Sequence, residues 1–129
     1  MTTLEFALHL AISDAPSHRI GGTVGRNLAT PTRGTTDLAV WTLTLDPGAA
    51  GLPHSVSAEE VFVLVSGEVT AETEGRTHAL RPGDAFVTKP DVDFRLGNTG
   101  DTPAVLTVCA RPGTTASVNG SVVQPPWAQ

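Results

Sequence analysis

Short β-forming runs, broken by turn chemistry about every 8–12 residues, limit what this chain can become. "DLAVWTLTL" (37–45) alternates around β-formers and stops at "DPG". "EVFVLVSGEV" (60–69), "TAETEGRTHAL" (70–80), "AFVTK" (85–89), "DFRLGN" (93–98) and "PAVLTVCARPG" (103–113) follow, with "RPGD" and "NTGD" between them. In an extended chain, alternate side chains face opposite sides, so each run can bury one face. Glu74-Gly75 reads as a hairpin turn, because glycine accepts the positive φ that tight turns need. Roughly eight to ten strands at this spacing predict a sandwich or a closed barrel. The 13 Gly and 10 Pro fit a chain of many turns.

At 129 residues the chain is read as one domain, 1–129. Its centre spans 37–112, N-terminal strands fall within 1–36, and 113–129 forms an arm. Residues 3–12 suit either a strand or a short helix. In the arm, Trp127 is expected to pack on the body or on a partner. The net charge is −5 and no basic stripe is visible, which argues against nucleic acid as a partner. The first residues lack a basic leader, and their apolar stretch is short and carries Glu5 and His9. No signal peptide and no membrane span are expected, and the default location is the cytoplasm. Cys109, the single cysteine, lies in "AVLTVCA" and reads as a buried structural thiol.

"VFVLV" (61–65) is apolar at every position, so both faces of that strand call for cover. One face can line a barrel. The other calls for a second copy of the chain, giving a homodimer, or for the N-terminal segment.

Two spacings carry a family resemblance. Gly48, His54, Glu60 and Gly67 fall at four positions of the pattern Gly, five residues, His, one, His, three, Glu, six, Gly. Gly83 and Asn98 fall at the ends of the pattern Gly, five, Pro, one, Gly, two, His, three, Asn. On these motifs the chain resembles the cupins. The resemblance covers roughly 37–112 and implies an all-β fold, the cupin-type double-stranded β-helix or jelly-roll barrel.

Cupins that hold a metal usually do so with three histidines and one glutamate. Here the second and third histidine positions are Val56 and Phe94, and the motif's Pro and Gly positions are Lys89 and Asp91. One imidazole and one carboxylate are too few for a divalent transition metal, which wants at least three protein ligands. No cofactor is therefore expected. The alternative is a divalent transition metal on His54 and Glu60, completed by Glu59 or by His78. The favoured reading is an apolar small-molecule pocket lined by Val56, Phe94, Trp41, Glu59 and His78. In that pocket His54 and Glu60 would handle protons, with His54 as acid or base and Glu60 as its partner. The expected activity is metal-independent isomerisation, cyclisation or proton transfer on an apolar or aromatic small molecule. A binding or sensing domain without catalysis is the other reading.

Overall fold

The computed structural model describes residues 7–129 and has twelve strands among them, all paired antiparallel. They are β1 (Ser17–Ile20), β2 (Thr23–Ala29), β3 (Ala39–Leu45), β4 (Ser55–Val56), β5 (Glu60–Ser66) and β6 (Val69–Thr73). After these come β7 (Arg76–Leu80), β8 (Ala85–Val87), β9 (Phe94–Gly97), β10 (Ala104–Ala110), β11 (Ala116–Val118) and β12 (Ser121–Val123). One wall runs β1-β2-β3-β10-β5-β8. The other consists of two three-stranded sheets, β12-β11-β4 and β7-β6-β9. A single bridge joins those two sheets: His54 N–H donates to the Phe94 carbonyl at 3.0 Å, and Phe94 N–H donates to the His54 carbonyl at 2.8 Å. The expected jelly-roll barrel is therefore the fold.

Alternate residues of the strands fill the interior. Ala39, Trp41, Leu43 and Leu45 of β3 point inward, as do Phe62 and Leu64 of β5 and Leu106 and Val108 of β10. Val69, Ala71, Phe94 and Leu96 meet them from the opposite wall. The outer face of "VFVLV" is less covered. Val61 and Val63 are half-buried, while Val65 and the neighbouring strand's Val87 are 54% and 51% exposed. The β1–β2 hairpin extends the edge of this wall beyond β3 instead of lying across β5. Cys109 also faces outward and is half-buried between Val40 and Val61, not sunk in the core as expected.

Two further readings of the sequence change. Of residues 3–12, residues 3–6 lie outside the described residues; residues 7–11 form no strand or helix, and a single 3-10 turn occupies Ile12–Asp14. The strand count exceeds eight to ten because the 113–129 segment is no arm. It contains the β11–β12 hairpin, turned at Asn119-Gly120 with φ of 50° and 81°, and β11 pairs with β4. Asn-Gly is a strong hairpin signal, and it could have been read as one. Trp127 packs on the body, as expected: it folds back onto the barrel itself. A Cβ on Gly25 would stand 2.3 Å from its ring, so the absence of a side chain there makes room for the indole. Asn27, buried beside it, donates to the Pro126 carbonyl at 2.9 Å and fixes the same segment.

Two motif residues prove architectural. Gly67 turns β5 into β6 at φ 88°, where a Cβ would sit 2.8 Å from the Ala104 backbone. Asn98 is 2% exposed. Its amide donates to the Leu45 and Thr102 carbonyls at 3.0 and 2.8 Å, and its oxygen accepts from Gly100 N–H at 2.9 Å. Asn98→Ala would strand those buried groups and is expected to lower stability by about 3 kcal/mol. Urea unfolding checks this, and a loss below about 1 kcal/mol would mean that water replaces the amide.

Candidate functional site

β4 and β9 bring the first and last histidine positions of the two motifs side by side. His54 and Phe94 are bridge partners, so their side chains leave the sheet on one face. Phe94 is 3% exposed and its ring lies on the His54 imidazole, with centroids 4.3 Å apart. From there it reaches across the barrel to Phe62 at 5.7 Å and Phe86 at 6.1 Å. Val56, two residues beyond His54 on the same face, is buried at 4%. The loop from β8 returns over it: Asp91 N–H donates to the Val56 carbonyl at 2.8 Å. Asp91 stands at a glycine position of the motif and takes φ 64° there. The backbone turn has thus outlived the loss of the glycine that usually makes it.

Glu60 opens β5 on its inner face and is 6% exposed. Thr88, itself buried, holds it from β8: the Thr88 hydroxyl accepts from Glu60 N–H at 3.1 Å, and Thr88 N–H donates to the Glu60 carbonyl at 3.0 Å. No side chain among the described residues hydrogen-bonds the Glu60 carboxylate. Loss of water around the carboxylate raises its pKa from 4.5 to about 7, because burial penalises the charged form.

His54 is half-buried, and its Nδ1 lies 2.9 Å from the Leu52 carbonyl. A carbonyl can only accept, so Nδ1 carries the hydrogen and Nε2 is the basic nitrogen of the neutral ring. No hydrogen bond or ion pair joins His54 to Glu60 among the described residues. The two side chains are therefore not a bonded couple, and the expected pairing of Glu60 with His54 is not made.

The remaining expected residues do not gather beside His54 and Glu60. Trp41 is 3% exposed, inside the core, and its buried indole N–H has no partner among the described residues. Glu59 is exposed, as alternation beside the inward Glu60 requires. His78 pairs with the fully buried Ala71, so it leaves β7 on the inner side; at this sheet edge it stays exposed, 6.3 Å from the Phe86 ring. A cleft of about 50 Å³ lies between Phe86 and Phe94, with Thr88, Thr73 and Lys89 around it. It has room for a few waters and no more. Thr88 was not singled out from the sequence. A threonine in "FVTK" carries no local signal; its pairing with Glu60 depends on the β5–β8 contact.

The donor set does not suit a cupin-type metal centre. No group of three or more His, Cys, Asp or Glu side chains converges among the described residues. His54 uses Nδ1 on the Leu52 carbonyl, Glu59 is turned to the outside, and hydrocarbon occupies positions 56 and 94. Two donors leave a divalent ion to water, whose ligands it must partly give up to enter this mouth.

Comparisons with known proteins agree with the architecture. The family model described as "Cupin domain" matches residues 41–110. SchB of Streptomyces halstedii is 33% identical over 106 residues, covering 81% of this chain and 77% of that one. Among solved structures, the polyketide cyclase RemF from Streptomyces resistomycificus superposes with a TM-score of 0.74 at 16% identity, covering 95% of this chain and 91% of its own. KdgF from Halomonas sp. gives 0.69 at 23% identity, over 82% and 94% of the two chains. Among the described residues, no helix is long and apolar enough to cross a membrane. With its motif glycines, Glu60 and Asn98 in their structural places, and with a family match over its central strands, this chain belongs to the cupin domain family.

Proposed function

We propose that this cupin binds a small, mainly apolar or aromatic molecule at the mouth of the barrel and moves a proton on it without a metal. The observation that carries the reading is Glu60: a buried carboxyl with no bonded partner and a pKa of about 7. Such a group is divided between acid and base near neutral pH, where proton transfer in both directions is most effective. Its inner-face neighbour Phe62 packs with Phe86 and Phe94, and a flat ligand would reach the carboxyl by displacing one of these rings and stacking on the others. The Nε2 of His54 supplies a second proton acceptor at the outer edge of the same mouth.

A concrete form of the chemistry is carbon–carbon ring closure. The Glu60 carboxylate takes a proton from carbon next to a carbonyl. The resulting enolate carbon bonds to a second carbonyl, whose π electrons move to oxygen, and that oxygen takes the proton back. Atoms and electrons balance with no oxidant. The structural relative RemF is called a polyketide cyclase, and ring closure on a chain of carbonyl carbons is a reaction of this class. At 16% identity that likeness supports the fold and leaves the reaction to experiment.

Deuterium uptake from heavy water at the α-carbon of α-tetralone, followed by mass spectrometry, tests the proposal. The protein is expected to accelerate exchange, with a rate rising as pH passes about 7. Glu60→Gln is expected to lower it by about 100-fold, and EDTA to leave it unchanged. No acceleration by the parent protein, an equal rate in the Gln variant, or loss with EDTA overturns the reading.

A further inference from the structure

Two polar groups inside the barrel lack a hydrogen-bond partner. The indole N–H of Trp41 is buried and meets no acceptor among the described residues. The Glu60 carboxylate, also buried, accepts from no donor among them. A buried donor that has left water without finding an acceptor is costly. A hydrocarbon ring in the same place would fill the core without that cost, so packing alone does not call for the indole nitrogen.

The strand register relates the two groups. Trp41, Val108, Phe62 and Phe86 form one inward-facing row across β3, β10, β5 and β8. The next inward-facing row is Ala39, Ala110 and Glu60, with Thr88 bonded at its end. Glu60 thus stands one row along and two strands over from Trp41, on the same face of one sheet. With strands about 4.8 Å apart and two residues advancing about 6.7 Å, their Cα atoms lie about 12 Å apart. On β3 and β10 the row of Glu60 carries only methyl groups, so no bulky side chain of that row stands between the carboxylate and the indole. Phe62 borders both: it follows Glu60 on the inner face of β5 and shares the row of Trp41.

We propose that Trp41 is the donor that holds the substrate's carbonyl oxygen while Glu60 works on the carbon beside it. The inference rests on the proton-transfer reading for what Glu60 does, but the N–H contact can be measured by itself. As the Glu60 carboxylate takes the proton, the C–H electron pair becomes a carbon–carbon double bond and the carbonyl π pair moves to oxygen. A fixed donor shielded from water holds that oxygen more strongly as its charge grows. Return of the proton to carbon reverses each shift, so nothing is oxidised or reduced. The substrate class narrows to a neutral carbonyl compound that lies across β10, with its oxygen toward β3 and its acidic carbon toward β5. It enters by displacing Phe62, the ring that borders both groups.

Proton–nitrogen correlation NMR reads the contact directly. The chain has two tryptophans, Trp41 and Trp127, hence two indole N–H signals, and Trp127→Phe assigns them. Saturating α-tetralone is expected to shift the Trp41 signal downfield, as a new acceptor does. Tetralin, the same two rings without the oxygen, is expected to leave it in place. Trp41→Phe is expected to lower kcat for deuterium exchange by about 100-fold, with KM within about threefold of the parent's. A ring with a purely structural role would instead show lower stability in urea and a raised KM. Should that variant not fold, benzothienylalanine at position 41, with sulfur in place of N–H, makes the same comparison at constant shape. No ketone binding, an unmoved Trp41 signal, an equal shift with tetralin, or a nuclear Overhauser contact to an internal water that persists under saturating ketone overturns the inference. So does an unchanged kcat where the parent accelerates exchange. If the signal moves as stated while Glu60→Gln exchanges as fast as the parent, the Trp41 contact stands and the proton-transfer reading fails. If Glu60→Gln slows exchange while the signal stays put, proton transfer stands and the role of Trp41 is lost.

Discussion

At pH 8, Glu60→Gln is expected to make this protein more stable by about 3 kcal/mol, and at pH 4 to leave its stability nearly unchanged. Burial lifts the Glu60 pKa from 4.5 to about 7, and each pKa unit corresponds to about 1.4 kcal/mol. The folded chain therefore holds this proton more tightly than the unfolded chain does. Below about 4.5 both states are protonated and the site costs nothing. Between 4.5 and 7 the unfolded chain sheds the proton while the fold keeps it, so stability falls as pH rises. Above about 7 the fold carries a desolvated charge and the loss is complete. Gln is close in shape and neutral at every pH, so its stability should be flat across the same window. Urea midpoints at pH 4, 6 and 8 decide the matter. A gain of equal size at all three, or none at pH 8, would show that water reaches the carboxylate. Read beside the exchange assay, a variant that is sturdier but inert would mark Glu60 as a group whose burial serves chemistry at the expense of stability.

The second large effect concerns the lost imidazoles. Val56→His together with Phe94→His is expected to create a zinc or nickel site with a dissociation constant of about 1 µM or tighter, where the parent shows none below about 1 mM. The scaffold for it is in place. Positions 54 and 94 face each other across a hydrogen-bonded bridge, 56 lies on the same face, and Glu60 enters from the opposite wall. Without metal the double variant should be several kcal/mol weaker than the parent, because loss of a buried phenyl ring alone costs about 3–5 kcal/mol. Metal at about 100 times its dissociation constant should return about 2.7 kcal/mol, seen as a higher melting temperature. Calorimetric titration measures the affinity. Tight binding by the parent itself, or none by the double variant in a folded state, would contradict the account of the donor set.

The sequence displayed the barrel through features that act over short distances. β3, β5 and β10 alternate strictly over their inner residues, and each was visible as a run because the side-chain period of a strand is fixed by backbone geometry. The Glu74-Gly75 turn, with φ of 52° and 75°, was equally local. So were the two motif spacings, which gave His54, Glu60 and the replaced positions 56 and 94 before any coordinates.

Long-range pairing decided the rest. That His54 and Phe94 are bridge partners is a contact across 40 residues, which no local pattern specifies. That "SVNGSVV" builds a hairpin against β4, and that Trp127 returns to Gly25, depend on where those segments land. Most consequential is the state of Glu60. The chain states that a glutamate is there; only its burial in the folded barrel strips away its water, and a carboxyl's proton affinity is set by what surrounds it.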